Sequence, residues 1–171
     1  MEIFRPFCLI VALLLLPTPA TAKEQLESPA LPDFVVGYEA ADGFQSIREE
    51  VPSGETVENW SVMITTQRFS LDGTALERFV AGFLNSLRQS CPRAVVSDLQ
   101  RPEGHGGAAV LFSADCPASP VTGGRETMTV LAISGADALH VKQVAFRPTY
   151  QDDRGWVELF LQRTHLDADG S

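Results

Sequence analysis

Between residues 76 and 87 the apolar side chains fall at Leu76, Phe79, Val80, Phe83, Leu84 and Leu87, spaced so that all of them line one side of an α-helix. A stripe unbroken over three turns must be covered, and the chain on either side offers mainly alternating apolar and polar segments. The helix therefore has to lie on a sheet. Thr74-Ala75-Leu76-Glu77 has the form of a capping box at its start, and Pro92 stops it.

The segments before the helix read as strands. "FVVGYEA" (34–40) and "FQSIREEV" (44–51) flank the turn Ala41-Asp42-Gly43, and Asp-Gly between apolar runs signals a hairpin. After the turn in "VPSGE", residues 57–69 form a longer strand, with Trp60, Val62 and Ile64 expected on one face and Ser61, Met63 and Thr65 on the other. Beyond the helix, "AVVSDLQ" (94–100), "AAVLFSADC" (108–116), "ETMTVLAIS" (126–134) and "ALHVKQVAFRP" (138–148) follow with short connections, as in an antiparallel meander. Asp152-Asp153 then precedes Trp156, Val157, Phe160 and Leu161, which share one side of a second helix. The predicted class is α+β, a largely antiparallel sheet with two main helices packed on it in the order β-β-β-α-β-β-β-β-α.

The first 22 residues carry a different signal. Arg5 precedes the apolar run Phe7–Leu16, and a proline-broken segment ends in Ala20-Thr21-Ala22. This is the form of a secretory signal peptide cleaved after Ala22. The run is about half the roughly 20 residues that span a bilayer, so no transmembrane anchor is expected. Cys8 lies inside the signal, behind Arg5-Pro6-Phe7, which lacks the small residues expected before a lipidated cysteine. The domain plan is a signal peptide over 1–22, a flexible polar lead-in over 23–32 with two prolines, a single α+β domain over 33–166, and a frayed tail over 167–171.

Export leaves Cys91 and Cys116 as the mature chain's cysteines, in a compartment where disulfides persist. Their spacing is far from C-x-x-C and no histidine is near either in sequence, so a structural bridge is expected, pinning the helix end to the strand of Cys116. A mature chain of this length fits one domain that needs no metal staple. The formal charge of −9 survives removal of the signal, because Glu2 and Arg5 cancel, and Lys23 and Lys142 are the only lysines. Such a surface repels phosphate backbones and anionic headgroups, which argues against nucleic-acid and membrane binding.

The element order, the size, the export signal and the closing "WVELFL" helix resemble the Mog1/PsbP-like α/β/α sandwiches found among small exported bacterial proteins. The resemblance covers about residues 33–166 and rests on element order. It implies an assembly or binding accessory rather than an enzyme.

The candidate sites read as follows. Asn59-Trp60-Ser61 satisfies the N-glycosylation pattern, but the triplet enters a strand whose tryptophan is expected in the core, against apolar side chains of one of the two helices. Glu49, Glu50, Glu55 and Glu58 lack the alternate-position spacing of a calcium loop, and Glu49 and Glu50 face opposite sides of a strand. His105 lies in the glycine-rich tip "EGHGG", which has neither the lysine nor the following helix of a phosphate loop; His140 and His165 are isolated. Without H-x-x-H or H-E-x-x-H spacing no zinc site is expected, and no G-x-S-x-G elbow occurs, Ser134-Gly135 being a strand-to-turn junction. The sequence thus assigns no catalytic, metal or cofactor-binding residue. The expected function is that of an exported, periplasmic or secreted non-catalytic domain, binding an envelope protein partner or a small ligand through a sheet face or the 117–125 loop. The alternative is a small secreted hydrolase that pairs a carboxylate of the 49–58 region with His140.

Overall fold

The computed structural model describes residues 24–70, 76–150 and 154–167. Its central feature is an antiparallel sheet in the order β2-β3-β4-β8-β7-β6-β5, formed by Phe34–Ala41 (β2), Gln45–Pro52 (β3), Val62–Ser70 (β4), Val95–Val96 (β5), Ala108–Cys116 (β6), Glu126–Ser134 (β7) and Ala138–Phe146 (β8). The α+β class and the antiparallel sheet are as the alternation predicts. The first three of these strands form one half and the later meander the other. They join where β4 pairs with β8 over their full lengths, from Val62 opposite Phe146 to Ser70 opposite Ala138.

Alternation along β7 separates two cores. Leu131 and Ile133 face the same way as Val62, Ile64, Val144 and Phe146, and Val157, Phe160 and Leu161 of helix α2 (Trp156–Gln162) close over them. Val130 and Ala132 face the other way, with Val110, Phe112, Leu139 and Val141, beneath Leu76 and Val80 of helix α1 (Leu76–Ser90). Three layers result: one helix on each face of the sheet. Each α1 residue of the predicted stripe is buried or half-buried, as that packing requires. The capping box begins at Thr74, outside the described residues, as do the cleavage site after Ala22, Asp152-Asp153 and the tail from Ala168.

Cys91, just beyond α1, and Cys116, the last residue of β6, are disulfide-bonded with alpha carbons 6.0 Å apart. The bridge sits in its own apolar cluster with Leu87 and Ala114.

Several local expectations change. The strand expected over 94–100 is reduced to β5 and one bridge at Gln100. Between them Ser97 Oγ accepts the Ser113 amide, a side chain taking the place of ladder backbone. The lead-in is not merely polar chain: Gln25–Glu27 (β1) pairs with His165–Asp167 (β9), and Leu26 and Leu31 pack against the α2-side core. Apolar burial outweighs the local prolines there.

Trp60 lies before β4, so the strand alternation does not govern it. It is buried, but with Val51, Met63 and Ala145, and not with Val62 and Ile64. The cluster that holds it draws on strands and the 53–61 turn, with no helix side chain, contrary to the packing expected from the sequence. The turn explains this: Glu55 accepts the Ser61 amide and hydroxyl, each at 2.7 Å, which folds the indole back over Val51, Met63 and Ala145. The Arg147 guanidinium covers the ring, 4.0 Å from its centroid.

Candidate functional site

On the α2 face, one cross-strand row runs Glu39, Arg48, Thr66, Lys142, Leu131. The far half of this row is core; the near half is polar. Lys142 stands at the boundary, only 6% exposed, with its Nζ donating to Thr66 Oγ1 at 2.7 Å and lying 5.7 Å from the Phe160 ring centroid. Burial pushes its amine below the ordinary lysine range; the negative charge of Glu50 acts against that shift and the positive charge of Arg48 adds to it.

Arg48 is itself engaged, at 3.3 Å from Glu50 and 3.9 Å from Glu39. Among the described residues no carboxylate comes within ion-pair range of Lys142. An ammonium is thus held in a largely apolar setting with one neutral hydrogen-bond partner.

A cavity of about 290 Å³ opens over it. Its floor is Lys142, Thr66 and Ile64, one wall is Phe34 and Phe160, the Arg48–Glu50 pair also lines it, and its cover is the strap from Leu26 to Leu31, which begins in β1. That cover is tied down at Ser28, whose Oγ accepts from the buried Thr164 hydroxyl at 3.2 Å. The chemistry on offer is recognition of a negative group by a desolvated cation, with the Phe34 and Phe160 rings as the apolar surface for the rest of the ligand.

The same strap brings a second set of groups together. Glu24, Asp137 in the β7–β8 turn, and His140 on β8 each present a ligand atom within 4.8 Å of the others, the one such group among the described residues. Glu24 is seated by the Ala136 amide at 2.8 Å, and Asp137 by Arg68 at 3.0 Å. His140 is 3% exposed and pairs across the sheet with Arg68 and Ile133.

The residues singled out in the sequence sit elsewhere. Glu49 points to the opposite face from His140, and its carboxyl is pushed up by partial burial. Glu55 is committed to Ser61 and Glu58 is exposed. Glu50 shares the face of His140 but pairs with Ile64, which pairs with Val144, two rows further along β8. The structure therefore does not bring a 49–58 carboxylate to His140. Asn59 is exposed, in a bend before the strand rather than in it.

His105 belongs to the scaffold. It is buried, its Nδ1 lies 2.5 Å from the Thr164 carbonyl, and its own carbonyl accepts the Leu166 amide. Gly106 has φ +76°, and a Cβ there would stand 2.6 Å from the Leu166 carbonyl oxygen, so the glycines of "EGHGG" permit this docking. His165 is exposed.

Sequence reasoning passed over Lys142, Arg48 and Thr66. One signal was present: the even positions of "ALHVKQVAF" put His140 and Lys142 on the same face as Val144 and Phe146, a polar pair on an otherwise core-facing row. Glu24 and Asp137 gave none, being 113 residues apart.

No protein-family model matches the chain, and no curated protein matches it.

Proposed function

We propose that this protein is an exported, non-catalytic binding domain that takes a small organic carboxylate with an apolar body into the cavity beneath the 26–31 strap, with Lys142 meeting the carboxylate. The observation that carries this reading is the burial of Lys142 without an ion-pair partner at the floor of a cavity that Phe34 and Phe160 wall on one side and the Arg48–Glu50 pair on the other. An ammonium kept out of water costs stability, and a ligand carboxylate would offset that cost. The cavity volume admits a compact acid, not a long chain.

The cellular setting follows from other features. A signal peptide cleaved after Ala22 would release the chain to the periplasm or the medium, and the Cys91–Cys116 bridge suits an oxidising compartment. Among the described residues no helix is long and apolar enough to cross a membrane. The resemblance in element order to Mog1/PsbP-like sandwiches supports an accessory role over a catalytic one.

Titrating the exported protein with benzoate, and in parallel with benzamide, tests the reading. Because Lys23 and Lys142 are the only lysines, ¹³C-lysine NMR reads the contact directly. Benzoate should shift the Lys142 side-chain signals and benzamide should not, and Lys142→Met should abolish saturable binding. Equal shifts from acid and amide, or undiminished binding by the variant, would refute it. Intact mass of the exported protein should place its first residue at Lys23.

A further inference from the structure

We propose that Glu24, Asp137 and His140 form a divalent transition-metal site, suited to zinc, that fastens the N-terminal strap to the β7–β8 turn. One imidazole and two carboxylates make a borderline donor set, matched to zinc and unlike the all-oxygen cages of calcium or magnesium. Their ligand atoms already lie within 4.8 Å of one another. Four-coordinate zinc, with bonds of about 2.0–2.1 Å, sets its ligand atoms about 3.3 Å apart. Side-chain rotation on the order of 1 Å closes the difference, and a water completes the shell.

The groups are also held as metal ligands are held. Glu24 Oε2 accepts the Ala136 amide at 2.8 Å, and Asp137 Oδ2 accepts from Arg68 at 3.0 Å, so each carboxylate keeps its second oxygen for an ion. The imidazole projects from the middle of the sheet, fixed by burial. Arg68 opposes a cation by charge, but two carboxylates outweigh one guanidinium.

Gly135 gives independent support for the seat. A Cβ at this position would collide with the Glu24 carboxylate, whereas the backbone there needs no unusual φ. The absent side chain leaves the room that the Glu24 carboxylate occupies. The spacing rule that argued against zinc in the sequence looks only at neighbours along the chain. This set is assembled from the residue before β1, the β7–β8 turn and β8, which spacing cannot reveal.

The site is distinct from the Lys142 cavity, and the experiment separates the two. Zinc chloride is titrated calorimetrically into metal-free protein purified after export. The expected result is one ion per chain with a Kd on the order of 10 µM or tighter. Glu24→Gln, and Gly135→Ala, which displaces Glu24 without removing any ligand, should each weaken binding by roughly tenfold or more. Both variants should melt like the parent without metal, and zinc should raise the melting temperature of the parent alone. Nitrogen-15 NMR of the three histidines should show zinc moving the His140 ring signals and leaving those of His105 and His165 in place. Lys142→Met should bind zinc as the parent does. Absence of binding at millimolar zinc overturns the proposal. Binding that survives both Glu24→Gln and Gly135→Ala, or that moves His105 or His165 instead, places the ion elsewhere and overturns it equally.

Discussion

Lys142 is a buried cation whose desolvation opposes folding. Its amine is pushed below the ordinary lysine value of 10.5, chiefly by burial. In the interval between that lowered value and the value in the unfolded chain, the unfolded chain binds the extra proton, so stability rises with pH across the interval. Below it, both states are charged and the full cost of burial is present. Lys142→Met, similar in length and without charge, should therefore gain about 1 kcal/mol or more at pH 7 and lose the alkaline rise. Denaturant melts of parent and variant at pH 7 and pH 9.5 check both parts; a less stable variant at pH 7 would make Lys142 a structural residue rather than a retained recognition group. Asp42, at an exposed position, is also shifted down, but there the charged form is the one the fold favours. Its carboxylate accepts the Phe44 and Gln45 amides at 2.7 and 2.8 Å, and these bonds hold it below its usual 3.8. The contribution it makes is present above the unfolded value and is lost as pH falls through the folded one. An NMR titration midpoint at or above 3.8 would contradict that account.

At the scale of elements, the disulfide cluster and the Trp60 cluster pack side by side on the α1 face of the sheet and share Met128. Closing the 25-residue separation between Cys91 and Cys116 is worth about 3 kcal/mol in the chain-entropy model, so the double alanine variant should melt roughly 6–12 °C lower. Trp60→Ala empties the cluster of Val51, Met63 and Ala145 and removes the ring beneath Arg147, at a cost of about 3–5 kcal/mol. A melt matching the parent would recast Trp60 as a surface group. These elements differ in how well the sequence foretold them. Helix α1, the strands from Ala108 to Phe146 and the cysteine pairing were legible, because burial on one face writes a period into the residues themselves. Trp60 was misplaced because its position depends on the Glu55–Ser61 bonds of a turn, which leave no period. β1 and β9 escaped notice because three-residue strands are too short to show one, and the strap cavity because Lys142 lies more than a hundred residues from the segment that covers it.

In the molecule as a whole, the two ends of the described chain meet on the α2 face, and what closes the candidate site is therefore the weakest part of the fold. The seven-stranded sheet is paired and covered on both faces at its centre, where Leu131 and Val144 are wholly buried. β1, by contrast, is a three-residue strand bound to another of equal length, a ribbon too small to be stable alone. β9 has additional support, since the Leu166 amide donates to the His105 carbonyl and Leu166 lies against Gly106. Opening should then be one-sided: β1 lifts from β9 while β9 stays on the body, and the 26–31 segment uncovers Lys142 without disturbing the sheet. Hydrogen exchange on the exported protein measures this. The ladder amides of β1 should exchange at least about 100-fold faster than those of Leu131 and Val144, with Leu166 between them. An ion held by Glu24, Asp137 and His140 ties β1 to the β7–β8 turn, so zinc should slow exchange in β1 and leave the sheet centre unchanged. If β1 amides instead exchange only with global unfolding, the strap is part of the rigid core, and ligands would have to reach Lys142 by another route.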